Sequence, residues 1–433
     1  MLSVSGLLAR ISRALEKVSR RLAGVSVRVK KVLRWITATF LVVEFLALAT
    51  AGLIDSLRKG RTSGADGYPR TPPTPIKIAD SEVVVYTDGA ETYAAMLQAI
   101  REAQDHIFFE TFIWKADEVG TLFKDELIAA ARRGVEVFCI WDAFANLVVT
   151  PSFKRFPRIA HLHVLSFPLF RGWPSIRNSG RDHRKILVVD SKIGFVGGYN
   201  IGTLYATQWR DTHVRIEGPS AWELDNAFRD FWNEHKQRRQ PRLFDRGALQ
   251  WQPKIRSAIN SPNKLLYPVR GLYIEALDRA HQHVWITQAY FIPDRDILDA
   301  LIRTARRGVD VKVLIPEVSN HIAADWVARS YYLELLEAGI EIWLYQKAMV
   351  HAKTAVIDSR WVTIGTANLD RMSLTGNYEI NLEFFSTALA AHMRLVFETD
   401  MTNARLLTIP QWEERGMLER LGERLLRPLG PLM

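Results

Sequence analysis

Cysteine is nearly absent from this chain, which has a single cysteine, Cys139, among its 433 residues. A disulfide framework within the chain and a zinc site built from several cysteines are therefore both excluded. Cys139 lies in the apolar run EVFCIW, which favours a buried structural thiol. With 48% hydrophobic and 24% charged residues, the composition indicates a folded protein, long enough for two packed domains.

Positive charge is scarce outside the first 34 residues, although the net charge of the chain is +10. Residues 1–34 contain nine basic residues and one acidic residue, and this net charge of +8 leaves only +2 for the other 399 residues. Nuclease grooves are usually basic, so this distribution argues against a nuclease and against nucleic acid as a partner.

The basic segment 1–34 has the apolar period of an amphipathic helix. Its Val, Leu and Ile residues follow steps of four and three from Val4 to Val32, so they line one face of a helix whose other faces are basic. Such a helix binds an anionic membrane surface. Pairing with a second copy in a homodimer, or a plain solvated arm, are the alternatives.

One long apolar run follows, at residues 35–54, with Glu44 as its single charged residue. Twenty helical residues span about 30 Å, so the run predicts a hydrophobic membrane segment. A carboxylate near the bilayer centre is costly, which leaves an interfacial or re-entrant helix as the alternative. Residues 55–80 are rich in Gly, Pro, Ser and Thr and are predicted to be a linker.

The rest of the chain contains an internal duplication. HIFFETFIW at residues 106–114 is echoed by HVWITQAYFIPD at residues 283–294. RRGVEVFCIWD at residues 132–142 is echoed by RRGVDVKVLIPE at residues 306–317. Strand-like runs that alternate with helices ending at a glycine are typical of βαβ units.

This duplication predicts an α/β fold built from two homologous halves. We place the first half at residues 81–245 and the second at residues 266–433, with a linker at residues 246–265.

The most regular repeat is HRKILVVD at residues 183–190, which returns as HAKTAVID at residues 351–358. The pattern His-x-Lys-x4-Asp, a following glycine and asparagine, and a later acid all recur at one offset of 168 residues. The first block has His183, Lys185, Asp190, Gly197, Asn200 and Asp211, and the second has His351, Lys353, Asp358, Gly365, Asn368 and Glu379. Insertions would have destroyed a constant offset, so the two blocks are expected to be superposable.

Each block is expected to present an imidazole beside an ammonium group, because residues i and i+2 of a strand face the same side. Two such blocks predict one pseudo-twofold site to which each half gives one histidine and one lysine. This set suits a phosphodiester: one neutral histidine attacks phosphorus, and the other, protonated, gives a proton to the leaving oxygen. The phosphate oxygens would be held by Lys185, Lys353, Asn200 and Asn368.

The acidic residues of the blocks have two different expected roles. Asp211 and Glu379 would each fix the tautomer of a histidine ring and support the imidazolium. Asp190 and Asp358 fall at the turns DSK and DSR and are expected to brace hairpins, as structural residues. The cationic side chains supply the electrostatic stabilisation that a metal ion supplies elsewhere, so we expect neither a metal nor a cofactor.

These residues resemble the phospholipase D superfamily, whose signature is the duplicated His-x-Lys-x4-Asp with a following glycine and asparagine. The resemblance covers residues 82–433, and the strings RDHRKILVVD, GGYNIG, YFIPD, MVHAKTAVID and GTANLD make it most similar to the bacterial cardiolipin synthases. It implies mixed sheets related by a pseudo-twofold, with Gly197 and Gly365 as structural residues. It also implies that His183 is the nucleophile and His351 the general acid and base.

Two features depart from the family pattern. The family often has serine after the motif glycine, where this chain has Gly198 and Thr366. The family's usual pair of N-terminal hydrophobic segments is replaced by one basic amphipathic segment and one apolar run.

The resemblance implies a membrane-attached phosphatidyltransferase with a phosphatidyl-histidine intermediate. An example is the conversion of two phosphatidylglycerol molecules into cardiolipin and glycerol. The alternatives are a phospholipase D that uses water to release phosphatidic acid, and a non-catalytic membrane protein. We therefore expect a phospholipid substrate and a location at the bacterial plasma membrane, with the catalytic body peripheral to the bilayer.

Overall fold

The computed structural model describes residues 67–168, 180–248, 254–416, 420–421 and 423. The predicted amphipathic helix at residues 1–34, the predicted membrane segment at residues 35–54 and residues 55–66 of the predicted linker lie outside the described residues. Within the described part of the chain, no helix combines the length and the apolar character needed to cross a membrane.

The first half alternates strands and helices. Its strands are β1 (Ile76–Ile78), β2 (Ser81–Tyr86), β3 (His106–Thr111), β4 (Glu136–Asp142), β5 (Leu162–Phe167), β6 (Ile186–Val189), β7 (Ile193–Gly197), β8 (Trp209–Arg210) and β9 (His213–Glu217). Its helices are α1 (Gly89–Glu102), α2 (Glu118–Arg132), α3 (Thr203–Thr207) and α4 (Trp222–His235).

The second half repeats this alternation and adds elements at its end. Its strands are β10 (Ile255–Asn260), β11 (His283–Gln288), β12 (Asp310–Pro316), β13 (Glu341–Tyr345), β14 (Met349–Val350), β15 (Lys353–Ile357), β16 (Trp361–Gly365), β17 (Glu379–Phe385) and β18 (Ala404–Leu407). Its helices are α5 (Pro268–Arg279), α6 (Arg295–Arg306), α7 (Ile322–Arg329), α8 (Tyr332–Glu337), α9 (Arg371–Thr375), α10 (Thr387–Met401) and α11 (Ile409–Glu413).

Each half forms one eight-stranded sheet. Seven strands of each sheet follow the same order, and the eighth, β1 in the first sheet and β18 in the second, lies at opposite edges. The order is β1-β2-β9-β7-β6-β3-β4-β5 in the first sheet and β10-β17-β16-β15-β11-β12-β13-β18 in the second. In both, three neighbouring strands are parallel and the strands on the motif side are antiparallel, so both sheets are mixed. The prediction of two homologous α/β halves with mixed sheets is confirmed, and a pseudo-twofold would require this matching order.

The βαβ units begin and end where the sequence indicates. Asp117 and Asp294 are the N-caps of α2 and α6, and their side chains accept backbone hydrogen bonds from the first turn of each helix. Both helices end just before a glycine in the left-handed region, Gly134 with φ 98° and Gly308 with φ 85°.

Two predicted linkers contain strands. β1 lies within residues 55–80 and pairs with β2, while β10 lies within residues 246–265 and pairs with β17 along its whole length. Both are outer strands that closely follow prolines, which is why their sequences resemble connecting segments.

The main apolar core is shared by the two halves. It joins Phe228 and Trp232 of α4 in the first half to Phe384 of β17 and Phe397 of α10 in the second. The two motif blocks therefore belong to one packed body.

Candidate active site

The motif histidines lie at the line where the two halves meet. We expected His183 and Lys185 within a strand, but β6 begins only at Ile186. The reason is that the backbone at each histidine pairs with the other half: His183 N donates to Tyr378 O at 3.0 Å, and His351 N donates to Arg210 O at 2.7 Å. These contacts bring both motif blocks to one place.

The histidine and carboxylate pairs are crossed between the halves. His183 Nδ1 lies 3.0 Å from Glu379 Oε2, a residue of the second half. His351 Nδ1 lies 2.6 Å from Asp211 Oδ2, a residue of the first half. Both carboxylates are buried, and neither half alone contains a complete pair.

The two motif lysines are buried beside the histidines. Lys185 Nζ donates to the His183 carbonyl oxygen at 2.6 Å, and Lys353 Nζ donates to the His351 carbonyl oxygen. Burial lowers the pKa of Lys185 to about 8 and that of Lys353 to about 7. Such desolvated ammonium groups would gain strongly from an anionic ligand.

Both histidines are held neutral by their surroundings. Burial, followed by Lys185 and Lys353, holds the pKa of His183 well below its usual value. Burial and Lys353 lower the pKa of His351 to about 3. A bound phosphodiester anion would offset the lysine charges and raise both values.

The two carboxyl groups differ in charge. Burial raises the pKa of Glu379 to about 8, so its carboxyl group is mostly neutral at pH 7. Burial also acts to raise the pKa of Asp211, but His351 and Lys353 outweigh it and hold the value below normal. Asp211 is therefore the carboxylate that carries negative charge beside its histidine.

The two departures from the family pattern correspond to this difference between the carboxyl groups. A Cβ atom on Gly198 would lie 2.0 Å from Asp211 Oδ1, so the glycine makes room for that carboxylate. The Thr366 hydroxyl donates to Glu379 Oε2 at 2.6 Å, so in the second half this position hydrogen-bonds the carboxyl group of the same half.

Both motif asparagines are buried. Asn200 Oδ1 accepts from Ile113 N at 3.1 Å, which fixes its side chain at the end of β3. Asn368 Oδ1 has no hydrogen-bond partner among the described residues. The side-chain amides of both asparagines therefore remain candidates for binding the phosphate oxygens.

The motif aspartates lie at the far end of the motif strands, at the hairpin turns. Asp190 and Asp358 have φ values of 53° and 51°, and the serine after each is also left-handed, as a type I′ hairpin turn requires. Each carboxylate accepts three consecutive backbone N–H groups, at residues 104–106 and 281–283.

The motif glycines lie where the backbone of a neighbouring strand comes close. A Cβ atom would lie 2.3 Å from Thr212 O at Gly197 and 2.2 Å from Asn381 Oδ1 at Gly365.

Sequence reasoning missed the aromatic walls of the site. The Phe112 ring lies 4.6 Å from the His183 ring, the Trp209 ring 4.9 Å from the His351 ring, and the Tyr290 ring 6.3 Å from the His351 ring. Phe112 and Tyr290 each fall just after a first parallel strand, in HIFFETFIW and HVWITQAYFIPD, so the duplicated strings contained a signal for them.

A buried ion pair that joins the halves was also missed. Arg210 donates to Asp400 with Nε at 2.9 Å and with a terminal nitrogen at 2.6 Å. Arg210 immediately precedes Asp211, so this pair fixes the chain next to the carboxylate of His351. The partners are 190 residues apart and fall outside the repeated positions, so the sequence contained no sign of them.

The chemistry open to this arrangement follows from the orientation of the rings. Because Nδ1 of each histidine faces a carboxyl group, Nε2 of each ring is left for a substrate. Two Nε2 atoms, two ammonium groups and two amides around one space suit in-line displacement at a phosphodiester.

Comparison with known proteins identifies a family whose sequences match this chain. The family described as "Cardiolipin synthase, PLD-like domain" matches in two segments, residues 96–232 and 273–401, one in each half. The cardiolipin synthase of Clostridium perfringens (strain ATCC 13124) is 31% identical over 367 residues, which are 82% of this chain and 77% of that protein. The cardiolipin synthase of Geobacillus kaustophilus is 32% identical over 374 residues, which are 83% of this chain and 74% of that protein.

A solved structure shows the same fold. The phosphatidylserine synthase of Haemophilus influenzae superposes with a TM-score of 0.63, covering 87% of this chain and 98% of that protein, at 14% sequence identity.

Proposed function

The chain belongs to the family of phospholipase D-like cardiolipin synthases, and from that premise we propose that its crossed pairs catalyse phosphatidyl transfer through a phosphatidyl-histidine intermediate. The enzyme is a phosphatidyltransferase of the cardiolipin synthase type. The crossed pairing of each histidine with a carboxyl group of the other half is the observation that supports the shared site, and the opposite pKa shifts of Glu379 and Asp211 agree with the assignment of roles.

His183 is the nucleophile in this proposal. Burial and two lysines disfavour protonation of the ring, and the tautomer that donates from Nδ1 to Glu379 leaves a free electron pair on Nε2. His351 is the general acid and base. Its partner Asp211 carries a negative charge 2.6 Å from Nδ1, which stabilises the imidazolium once the phosphate offsets the lysine charges.

The reaction has two steps. His183 Nε2 bonds to the phosphorus of phosphatidylglycerol while the bond from phosphorus to the glycerol oxygen breaks, and His351 protonates that oxygen, so glycerol leaves. The hydroxyl group of a second phosphatidylglycerol then gives its proton to His351 and attacks phosphorus, which breaks the bond to His183 and forms cardiolipin. The lysines, with the amides of Asn200 and Asn368, hold the non-bridging oxygens in both steps. Pseudo-twofold symmetry of the two halves would let one site serve both steps.

The first test is product analysis with the purified protein. Detergent-dispersed phosphatidylglycerol should yield cardiolipin and glycerol. His183→Ala and His351→Ala should each reduce turnover by about a thousandfold or more, because each half supplies only one histidine. His161→Asn is the control, since His161 lies on the surface against Glu136.

The same variants separate the two roles. A substrate with a good leaving group should leave a phosphatidyl adduct on His183 in His351→Asn, located by mass spectrometry. An adduct on His351 in the unmodified enzyme would reverse the assignment. Substantial activity in either alanine variant would contradict the shared site.

The finer location of the protein is also a proposal. Residues 1–54 would attach the chain to the bacterial plasma membrane and leave the catalytic body peripheral to the bilayer. Removal of residues 1–60 should move the protein to the soluble fraction while activity on detergent-dispersed lipid persists. A truncated protein that still sediments with membranes would contradict this. If residues 1–34 pair two copies instead, crosslinking of the full chain would give a dimer that truncation abolishes.

A further inference from the structure

The turn that follows β4 presents an unusual apolar surface. Phe144 is 53% exposed, Leu147 57% and Val148 83%. Single exposed apolar side chains are common on soluble proteins, but a cluster of three within five residues is a feature of interaction surfaces. We call residues 143–149 the apolar turn.

The apolar turn is rigidly held, so its exposure does not come from a frayed end. Asp142 Oδ1 accepts hydrogen bonds from Phe144 N at 2.8 Å and Ala145 N at 3.0 Å. The Asn146 side chain is buried, donates to Phe112 O at 2.8 Å and accepts from Trp114 N at 2.8 Å. The buried polar groups of the turn face inward and fix the three apolar side chains outward.

The apolar turn also lies beside the nucleophile. Asp142 Oδ2 accepts from Asp182 N at 3.1 Å, and Asp182 immediately precedes His183. The guanidinium group of Arg181 lies 4.9 Å from the centre of the Phe144 ring. The turn therefore packs against the segment that leads directly into His183.

The charged residues of the segment that contains the turn are all cationic, whereas the neighbouring Asp142 and Asp182 are buried. Residues 143–168 contain Lys154, Arg155 and Arg158 and no acidic residue. Arg155 and Arg158 are exposed, and Arg181 adds a cation at the Phe144 ring. Apolar side chains flanked by cations complement an anionic bilayer, whose surface is negative and whose interior is apolar.

We propose that the apolar turn inserts into the surface of an anionic phospholipid bilayer and thereby presents the His183 side of the site to lipid phosphates. The proposal rests on the proposed function and deepens it, because it names the surface through which the site receives its substrate. Three side chains give only weak binding by themselves, so the turn orients a body that residues 1–54 keep at the membrane.

A label on the full-length protein tests this insertion directly. Cys139 is buried, so a polarity-sensitive dye will react with an introduced cysteine. We would compare Val148→Cys with Phe244→Cys, since Val148 and Phe244 are both 83% exposed. Phe244 lies at the opposite end of the sheet: its carbonyl accepts from Arg229, which pairs with Asp225 beside the hairpin turn at Ser191.

The label at position 148 should shift to the blue and be quenched by brominated acyl chains in vesicles of phosphatidylglycerol and phosphatidylcholine. The label at position 244 should remain accessible to aqueous iodide. A label at position 148 that stays aqueous on vesicle-bound protein would overturn the proposal. So would equal quenching at both positions, or protection of position 148 by a protein partner or a second copy instead of lipid.

A second measurement uses rates. The variant Phe144→Ser, Leu147→Ser, Val148→Ser should lower the ratio of the rate on vesicles to the rate on detergent-dispersed lipid by about tenfold. The control Phe244→Ser, Leu395→Ser removes two exposed apolar side chains elsewhere and should leave the ratio unchanged. An unchanged ratio in the first variant would contradict the proposal.

Failure of this inference is distinguishable from failure of the proposed function. Quenching of the label at position 148 without formation of cardiolipin would support insertion of the apolar turn and contradict the proposed transferase activity. Formation of cardiolipin with a label that stays aqueous would support the transferase activity and contradict insertion.

Discussion

At the scale of single residues, Asp211 and Glu379 occupy the same position of the repeat and yet carry different charges. Asp211 is the anion beside His351, while Glu379 is a mostly neutral hydrogen-bond partner of His183 at pH 7. A neutral amide can replace a neutral carboxyl group, but it cannot stabilise an imidazolium.

We therefore expect unequal losses from amide substitutions. Asp211→Asn should reduce kcat by about a thousandfold to ten-thousandfold, as loss of the carboxylate does in hydrolase triads, whereas Glu379→Gln should reduce it by at most about tenfold. Rates of cardiolipin formation at pH 7 would measure both. Equal losses would show that both carboxyl groups work as anions.

Glu379 should also make the free energy of unfolding depend on pH. Its pKa is raised in the folded state, so the stability that its neutral form provides is complete below its ordinary pKa and is lost as the pH rises through about 8. Glu379→Gln should therefore reduce the loss of unfolding free energy between about pH 5 and pH 9, as measured by urea denaturation.

The sequence predicted these residues but not their pairing. The constant offset of 168 residues identified two histidines, two lysines and two acids as one set. It could not assign Asp211 to His351, because the offset is the same for every member and the crossing depends on how the halves pack. Gly198 and Thr366 could be described only as departures from the family pattern, because the sequence does not show which carboxyl group lies next to each of them.

At the scale of secondary structure, the alternating strands and helices were predictable because each carries its own local signal. The helix ends at Gly134 and Gly308 and the hairpins at Asp190 and Asp358 follow from backbone conformations that these residues favour. The outer strands β1 and β10 were not predicted, because β1 is only three residues long and β10 is held by β17, a strand far along the chain.

The contact between β8 and α10 is the element-scale feature most open to test. Arg210 and Asp400 form a buried bidentate ion pair, so removal of one partner leaves the charge of the other buried and unpaired. Arg210→Met or Asp400→Leu alone should cost about 3–5 kcal/mol of unfolding free energy. The double variant should recover much of that loss, because no uncompensated charge remains.

Urea denaturation of the three variants would measure these values. Arg215→Met is the control, since Arg215 pairs with Glu217 at the surface and should cost less than about 1 kcal/mol. Single variants as stable as the unmodified protein would contradict the prediction.

At the scale of the whole molecule, the site exists only because the halves pack together. The shared core from Phe228 to Phe397 holds both motif blocks in one body, and each half lends its acid to the histidine of the other. The duplication allowed a single site to be predicted, whereas the apolar turn could be recognised only once the fold showed which apolar residues remain exposed.

Transfer rather than hydrolysis is the property that depends on this whole arrangement. After glycerol leaves, the phosphatidyl-histidine can react with water or with a lipid hydroxyl, so transfer requires a dry site or a positioned alcohol. His183 is buried beside the Phe112 ring, which limits the access of water, and the proposed attachment to the bilayer would supply lipid at high local concentration. In the proposed mechanism His351 protonates the leaving oxygen and deprotonates the incoming hydroxyl group, so we expect the reaction to run backwards as well. Cardiolipin incubated with an excess of labelled glycerol, in the presence of EDTA, should therefore yield labelled phosphatidylglycerol, and His351→Ala should yield none. If phosphatidic acid dominates in native-like membranes and no label enters phosphatidylglycerol, the enzyme is a hydrolase.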